Sequence, residues 1–367
     1  SAMLRVVEMQ RWDPQRHMLG GEYILATHDA YAWVAGAEEP DSRTAAHPMA
    51  RMLRFLSAIT KMPSADLAFW LPALLAALSA IPIALWASNL GAPEMAMLAA
   101  GVFGTFTPAI FSRTRLGYFD TDWATLFFPV LISLLLAVWL QGALSDDGLR
   151  KSGRGGLRWA LYRPLLLIFF IPAASGWHGY IQVSIIAMVW IALGLLIFKG
   201  RLGTHNPAGI DLVAITLATG LGWIGALLGL LLVLFGERIP IPSPSTFRLR
   251  RMWMWVSVTL LLTFSAFQYH EFLLERISHY FRLGAGDTAS LAFPDLARSV
   301  RETQDTSIRT ALQGIGYQAW LSVLGLLSYI FVTIKRPASL LLAPALLLGL
   351  LSPSFGMRFA MFASPVV

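Results

Sequence analysis

Two aspartates one residue apart stand at the beginning of a long apolar segment. Asp120 and Asp122 flank Thr121 in "GYFDTDW", and residues 123–143 are almost entirely apolar. A carboxylate that enters hydrocarbon costs several kcal/mol unless water or a cation accompanies it. The Asp-x-Asp spacing lets both carboxylates share a hard divalent cation, which prefers oxygen ligands and can hold a diphosphate. A solvated helix N-terminus, where acids suit the helix dipole, is the plainer interpretation of the same spacing.

Three other charged residues are candidates for the same chemistry. Asp29 lies in "THDAYAW", Glu302 in "SVRETQD" and Arg358 in "FGMRF". Taken singly, these residues are explained by a turn or helix cap, a solvated loop, and an arginine that reaches lipid headgroups. Taken together, they are two further carboxylates and a cation suited to clamping a phosphate. His28 and His178 are isolated histidines, which favours structural roles for both.

The composition indicates a protein built for a membrane. Of the 367 residues, 56% are hydrophobic and 13% are charged. Apolar runs of about 20 residues, enough to cross about 30 Å of hydrocarbon, recur along the chain. These runs are continuous rather than alternating, which favours helices over a β-barrel. We therefore predict an all-α fold, a polytopic transmembrane helical bundle. The absence of cysteine excludes disulfides and thiolate metal sites.

The basic residues mark one side of the predicted membrane. The net charge is +7, but the bases cluster in the loops 145–158, 199–201, 248–251 and 335–336. This pattern indicates cytoplasmic loops under the positive-inside rule rather than a nucleic-acid-binding surface. We therefore expect no nucleic-acid partner.

The predicted spans are listed here with boundaries uncertain by a few residues. They are 67–88, 91–111, 123–143, 158–176, 177–198, 209–236, 252–268, 316–334 and 338–352, with a last one beginning near 357.

Placing all four basic loops on one side requires an even number of crossings between consecutive loops. The segment 209–236 breaks this rule if it is one helix, and it holds "TGLGW" at its centre. We therefore predict two short crossings or a hairpin, broken near Gly220 and Gly222. The non-cytoplasmic side then carries two long external loops, 12–66 and 269–315, the first of which contains "THDAYAW". It also carries "GYFDTDW" and "SFGMRF". A loop as long as 269–315 is usually functional or disordered.

Four motifs together resemble the catalytic subunit of oligosaccharyltransferase, the enzyme of asparagine-linked glycosylation, in its single-subunit bacterial form. "HDAYAW" (28–33) resembles the family's first-loop motif, and "SRTRLGYFDTD" (112–122) its second motif. "SVRE" (299–302) resembles the motif of the fifth external loop, and "GMRFAMFASPV" (356–366) the late membrane arginine segment. The motifs occur in the family's order and cover nearly the whole chain. The resemblance implies the architecture of GT-C-type glycosyltransferases.

The resemblance implies a catalytic metal site made of four carboxylates. Asp29, Asp120 and Glu302 would bind Mg²⁺ or Mn²⁺, and Asp122 would support the same metal site. Asp29 and Glu302 would also hold the side-chain amide of the acceptor asparagine. Two carboxylates that accept both N–H bonds of the amide would orient it and rotate its nitrogen out of conjugation.

The resemblance also implies the substrates and the location. Arg358 would contact the diphosphate of a lipid-linked oligosaccharide donor, with Arg113 and Tyr180 as further donor contacts. The acceptor would be a polypeptide with an Asn-x-Ser/Thr sequon. The donor's lipid tail requires contact with membrane lipid and a membrane-embedded groove beside the acids. A bacterial inner membrane with the site facing the periplasm is the expected location.

One departure concerns the extent of the chain. The family carries a soluble C-terminal domain with a Trp-Trp-Asp-Tyr-Gly motif that reads the sequon, and this sequence has no such motif. The sequence opens on "SAMLRVVEMQRW" and closes on "GMRFAMFASPVV". We therefore expect residues 1–367 to be a transmembrane catalytic domain that lacks most of its first helix and the soluble domain.

Three other interpretations stay open. Another glycosyltransferase of the same architecture that uses lipid-phosphate sugars, such as a protein mannosyltransferase, shares the acidic first loop but lacks the "SVRE" motif. A membrane transporter would carry ionisable residues in the middle of its spans, whereas these spans are nearly free of charge. A structural scaffold would not need separated acidic motifs on one side.

Overall fold

The computed structural model describes residues 18–144, 154–199, 208–235, 247–270 and 307–367, together with the single positions 7 and 274. These residues are mostly helical, which confirms the all-α prediction. Within the described ranges the strands are β1 (Met18–Leu19) and β2 (Glu22–Tyr23), an antiparallel pair.

Helices carry the rest of the regular structure. The first eight are α1 His28–Glu38, α2 Pro48–Thr60, α3 Ser64–Leu78, α4 Ala80–Asn89, α5 Glu94–Gly104, α6 Pro108–Arg113, α7 Asp122–Leu144 and α8 Arg154–Ser175. The next five are α9 Gly179–Phe198, α10 Ala208–Phe235, α11 Phe247–Gln268, α12 Ile308–Gly316 and α13 Ala319–Lys335. The last three are α14 Ala343–Leu350, α15 Ser352–Phe355 and α16 Ala360–Ala363, with 3₁₀ turns at Pro337–Leu342 and Met357–Phe359.

Several of these elements have the length and composition of membrane spans, as expected of an integral membrane protein. In the described ranges five stretches qualify by length and composition: Ser64–Asn89, Asp122–Leu144, Gly179–Phe198, Ala208–Phe235 and Pro337–Ser354, of which Ala208–Phe235 is interrupted at Gly222. Helices α12 and α13 together make a sixth, bent by 73°. Many of the large apolar side chains on these helices are exposed, as lipid-facing surfaces require.

The prediction of one continuous span over 91–111 is wrong. Helix α5 ends at Gly104, and α6 begins at Pro108 after Thr107, whose ψ of 153° is extended. Proline has no N–H to donate and disfavours helical geometry in the residue before it, so the chain breaks here. The break turns α6 into a short separate helix that ends on Arg113.

The predicted break near Gly220 and Gly222 is confirmed. Gly222 has φ 58° and ψ −133°, which interrupts α10. The two arms then pack so closely that a Cβ at Gly225 would lie 1.9 Å from the carbonyl oxygen of Leu217. The Gln182 side-chain amide donates to the Thr219 carbonyl at 2.6 Å. It satisfies a backbone acceptor in the last turn before the break, where a buried carbonyl would otherwise stay unpaired.

Both segments predicted as external loops contain helix. The segment 12–66 is described from residue 18 and holds α1 and α2. The segment 269–315 ends in α12, where the Ser307 hydroxyl accepts from the Thr310 N–H as an N-cap. Glu302 lies outside the described residues.

Among the described residues, buried apolar side chains form one large core, a smaller one and a third small cluster between α8 and α10. The large core joins α3, α7, α8 and α9. The smaller core joins α6, α12 and residues 359–363, and it includes Tyr180 and Leu126. The predicted site residues Arg113, Tyr180 and Arg358 lie on or next to elements of this smaller core.

Candidate functional site

A buried carboxylate ties three distant segments together. Asp122 is the first residue of α7, and its side chain is 1% exposed. Arg113 Nε, at the end of α6, donates to Asp122 Oδ2. Arg358 Nη2, from the turn Met357–Phe359, donates to Asp122 Oδ1 at 3.3 Å. A buried ion is tolerated only when it is paired, so these contacts stabilise Asp122 and fix both guanidinium groups.

Asp120 is buried beside this ion-pair network and is held by its own neighbour. Its Oδ1 accepts the Thr121 backbone N–H at 2.6 Å and the Thr121 hydroxyl at 3.3 Å. Burial, followed by the negative charge of Asp122, raises the pKa of Asp120 to about 6. Asp29 pushes this pKa up as well, while the Thr121 N–H and Arg358 lower it. Any additional positive charge placed near Asp120 would therefore stabilise its ionised form.

A glycine brings Asp29 into this neighbourhood. Gly117 has φ 74°, a backbone conformation that residues other than glycine rarely adopt. Its N–H donates to Phe69 O and its carbonyl accepts from Ala26 N–H, both at 2.9 Å. Ala26 lies next to Thr27, whose hydroxyl accepts from Ala30 N–H and caps α1, so that Asp29 stands in the first helical turn. Asp29 and Asp120 are therefore close enough to interact electrostatically.

Tyr180 packs against the turn that carries Arg358. His178 Nδ1 accepts from Tyr180 N–H at 3.2 Å and caps α9, and the two rings stack 4.9 Å apart. The Tyr180 ring meets Phe359 edge-on at 5.9 Å. The aromatic contact supports the backbone beside Arg358, and a direct contact between Tyr180 and a donor stays a prediction.

The structure thus brings six of the seven predicted site residues to one end of the bundle. Glu302, the seventh, lies outside the described residues. Arg113, predicted to contact the donor, is buried, pairs with Asp122 and lies 5.3 Å from the centre of the Tyr118 ring. In this arrangement Arg113 holds Asp122 in place, and contact with a substrate stays a prediction.

Sequence reasoning missed two positioning residues, Gly117 and Thr121, which anchor the Asp-x-Asp segment through their backbone groups. The glycine in "LGYFD" was a signal in the sequence, because a tight turn before a helix favours glycine. The structural role favoured for His178 is confirmed, because it caps α9. Its position within electrostatic range of Asp122 depends on tertiary packing.

The described carboxylates supply only part of a binding site for a divalent cation. Within the described ranges, no three His, Asp or Glu side chains are close enough to form a metal site. Asp122 directs both oxygens at arginines, which leaves Asp29 and Asp120 as the described carboxylates for a cation. Carboxylate oxygens are the ligands that Mg²⁺ and Mn²⁺ prefer, and a cation would offset the mutual repulsion at Asp120. Metal binding by Asp29, Asp120 and Glu302 stays a prediction.

A large apolar cavity lies away from these acids. Its volume is about 920 Å³, and it opens between α4, α5, α13 and residues 364–367. None of the described candidate residues lines it. The membrane groove expected beside the acids therefore stays a prediction.

Sequence comparison finds relatives that act on lipid-linked glycans. The family model described as "Oligosaccharyl transferase STT3, N-terminal" matches residues 47–367. The chain is 20% identical over 363 residues to the undecaprenyl-diphosphooligosaccharide–protein glycotransferase of Campylobacter jejuni serotype O:2. The alignment covers 96% of this chain and 48% of that protein. The chain thus spans about half the length of the curated relatives it matches.

Solved structures share the fold. The archaeal oligosaccharyltransferase AglB from Archaeoglobus fulgidus, in complex with an inhibitory peptide and a dolichol-phosphate, aligns with a TM-score of 0.61 and 15% identity. The same Archaeoglobus enzyme, tethered to an acceptor peptide with the NVT sequon, also aligns with a TM-score of 0.61, at 14% identity. These alignments cover all of this chain and 48% and 47% of those chains, respectively.

Proposed function

The chain belongs to the oligosaccharyl transferase STT3 family, and from that premise we propose that it carries the membrane-embedded catalytic part of an oligosaccharyltransferase. The reaction is transfer of a glycan from a polyprenyl diphosphate to the side-chain amide of asparagine in an Asn-x-Ser/Thr sequon. The name of the Campylobacter relative, and the dolichol-phosphate and NVT sequon peptide in the Archaeoglobus structures, support this choice of substrates.

The observation that carries the proposal is the pairing of Asp122 with Arg113 and Arg358. The pairing fixes a partly exposed guanidinium beside a buried carboxylate, Asp120, at the end of a helical bundle. The Arg358 side chain is 30% exposed, so it can still meet a ligand while Asp122 holds one of its nitrogens. A diphosphate leaving group develops negative charge, which a fixed guanidinium stabilises without reorganising.

Two of the other residues bind and orient the acceptor, and the rest hold a cation or support Arg358. Asp29 and Glu302 accept the two N–H bonds of the asparagine amide, which aims its nitrogen at the sugar carbon. A divalent cation held by Asp29, Asp120 and Glu302 would supply Lewis-acid stabilisation of the diphosphate when bound. Tyr180 keeps the backbone around Arg358 in place through its contact with Phe359.

The donor's lipid tail determines where the reaction takes place relative to the membrane. A polyprenyl chain stays in the bilayer, so the reacting diphosphate must lie at the membrane surface where the helices end. We place the protein in a bacterial inner membrane with this end facing the periplasm, since the basic loops mark the opposite side.

The test is product formation from a defined donor and acceptor. Full-length protein in detergent is incubated with a polyprenyl-diphosphate oligosaccharide and an Asn-x-Thr peptide, and mass spectrometry locates the glycan. We expect the glycan on asparagine and none on a peptide in which glutamine replaces that asparagine. Asp120→Asn should lower the rate by about 10²-fold or more, the range for removing one electrostatic group.

Asp41→Asn is the matched control, because Asp41 is exposed in the first external segment. It should leave the rate unchanged. A glycan found on threonine instead would overturn the proposed acceptor and favour the mannosyltransferase-like alternative. An equal rate in Asp120→Asn and the unaltered protein would overturn the assignment of the site.

A further inference from the structure

His47 joins three segments of the described protein through its imidazole ring. It precedes α2 as the N-cap residue, and its Nδ1 accepts the Met49 N–H at 3.2 Å. Its ring stacks on the ring of Trp33 in α1, with the ring centres 4.2 Å apart and the planes 23° from parallel. It also hydrogen-bonds the backbone of Trp177, in the turn between α8 and α9. One side chain thus contacts α1, α2 and the α8–α9 turn.

These two hydrogen bonds define the tautomer of the ring. Burial lowers the pKa of His47 and favours the neutral ring, whereas the bond to Trp177 acts in the opposite direction. A partner that raises the pKa of a histidine accepts a hydrogen bond, so Nε2–H donates to the Trp177 carbonyl oxygen. Nδ1 is then the acceptor for Met49. A neutral imidazole offers one donor and one acceptor, and both are used.

The stacking contact extends to Asp29 along α1. Trp33 lies four residues after Asp29, and residues at this spacing share one face of a helix. A ring stacked on Trp33 therefore restricts the rotation of α1 about its axis, and this rotation sets the direction of Asp29. The Thr44 hydroxyl donates to the Ala32 carbonyl at 2.7 Å, which holds the segment before His47 against the same helix.

The contact with Trp177 extends to the Asp-x-Asp segment. The Trp177 ring meets the Trp123 ring edge-on, with the ring centres 5.1 Å apart. Trp123 follows Asp122 directly in the first turn of α7. His47 therefore connects the helix that carries Asp29 to the helix that begins at Asp122.

We infer that His47 is a positioning residue for the reaction proposed above, on which this inference rests. By stacking on Trp33 and donating to the Trp177 carbonyl, it sets the place and direction of Asp29 relative to α7. Asp29 is proposed to bind the cation and the acceptor amide. A change at His47 therefore acts on the acceptor, and it leaves the KM for the donor unchanged when Mn²⁺ is saturating.

Asparagine and glutamine separate the two hydrogen bonds of the ring. His47→Asn keeps an acceptor near the position of Nδ1 that can cap α2, but its side chain is too short to reach the Trp177 carbonyl. His47→Gln places an amide N–H near the position of Nε2 and keeps the bond to Trp177, but it loses the cap. A merely structural role would lower stability and rate together, whereas a positioning role separates the two quantities.

Steady-state kinetics and thermal unfolding of the full-length protein in detergent make this comparison. We expect His47→Asn to unfold near the temperature of the unaltered protein. It should lose about 10²-fold in kcat/KM for an Asn-x-Thr peptide, the cost of a misplacement of about 1 Å. His47→Gln should unfold at a lower temperature and keep most of kcat/KM. Equal losses of kcat/KM in both variants, or an unchanged value in His47→Asn, would overturn the inference.

Distances between two spin labels test the placement of α1 without the reaction. Glu38→Cys at the end of α1 and Ala173→Cys in the last turn of α8 introduce thiols at exposed positions. Residues 1–367 contain no other cysteine, and any cysteine elsewhere in the full-length protein is replaced by serine. Electron–electron double resonance should give a narrow distance distribution in the otherwise unaltered protein and in His47→Gln, and a broad one in His47→Asn.

An equally narrow distribution in His47→Asn would overturn the inference, whether or not the protein transfers glycan. Absence of transfer by the unaltered protein would instead overturn the proposed function, so the two failures are distinguishable.

Discussion

At the scale of residues, Asp122 and Asp120 have opposite environments although one residue separates them. Asp122 is neutralised by Arg113 and Arg358, whereas Asp120 has backbone and hydroxyl donors from Thr121 but no ion pair among the described residues. Removing one member of a buried ion pair costs about 3–5 kcal/mol, because the other charge is left uncompensated. Asp122 therefore holds Arg113 and Arg358 in place. Asp120 is the described buried carboxylate that can pair with an additional cation.

Asp120→Asn is expected to stabilise the metal-free protein at pH 7.5. The pKa of Asp120 rises from 3.8 to about 6 in the folded protein, so folding disfavours its ionised form. The shift corresponds to an increase on the order of 1–3 kcal/mol in the free energy of unfolding of the variant. Asparagine keeps an oxygen that accepts the Thr121 N–H. The gain should be fully present above about pH 7 and shrink as the pH falls through 6 towards 4, because Asp120 becomes protonated in the folded state; it vanishes below about pH 3, where Asp120 is protonated in both folded and unfolded states.

Thermal unfolding in detergent with EDTA, measured from pH 4 to pH 8, tests whether Asp120→Asn raises the stability. Asp41→Asn serves as the exposed control and should follow the unaltered protein at every pH. A lower unfolding temperature for Asp120→Asn at pH 7.5 would mean that the carboxylate already has a cationic partner in the absence of metal.

At the scale of elements, the close approach of the two arms of α10 requires glycine. A Cβ at Gly225 would lie 1.9 Å from the Leu217 carbonyl oxygen, and one at Gly229 would lie 2.8 Å from that of Ala214. Such distances force the arms apart. The arms also carry Thr219, which Gln182 of α9 holds two residues after Tyr180. The hairpin thus supports the helix that begins at the candidate site.

Gly225→Ala is expected to destabilise the protein by about 1–3 kcal/mol, the usual cost of overpacking. Gly194→Ala is the matched control, because it is helical and exposed and its added Cβ meets nothing within 4 Å. It should be neutral or stabilising by up to about 1 kcal/mol, since alanine favours helix over glycine. Unfolding temperatures of the two variants give the comparison, and equal effects would contradict the hairpin.

The sequence predicted the helices better than their breaks. Continuous apolar runs identified the spans, and the parity of the basic loops led to the break at Gly222. Pro108 was also visible, but the run 91–111 is apolar on both sides of it, so hydropathy alone favoured one helix. The sequence predicted that the acids would lie at one end of the bundle. The number of crossings between basic loops, odd or even, determines which helix ends lie on the same side of the membrane. The sequence did not predict that Asp122 would pair with Arg113, because that contact depends on how the chain turns at Gly117.

At the scale of the whole molecule, the candidate site is an assembly of chain segments that are far apart in sequence. Asp29 follows the first strands, Asp122 begins a central helix, and Arg358 comes near the end of the chain. The smaller core joins the elements that support Asp122 and Arg358, and the large core joins α1, which carries Asp29, to α7. Local unfolding of any one element would therefore separate the charges, so the site depends on the packing of the whole bundle.

The central claim is that Arg358, fixed by Asp122, acts on the diphosphate of a lipid-linked donor. The most direct measurement is the rate of glycan transfer to an Asn-x-Thr peptide with Mn²⁺ or with EDTA, for Arg358→Gln and for Arg336→Gln. Arg336 is an exposed arginine at the end of α13 and is the control. We predict that EDTA abolishes transfer, that Arg358→Gln lowers the Mn²⁺-supported rate by about 10²-fold, and that Arg336→Gln keeps it. Equal rates for the two variants, or transfer that ignores EDTA, would contradict the account.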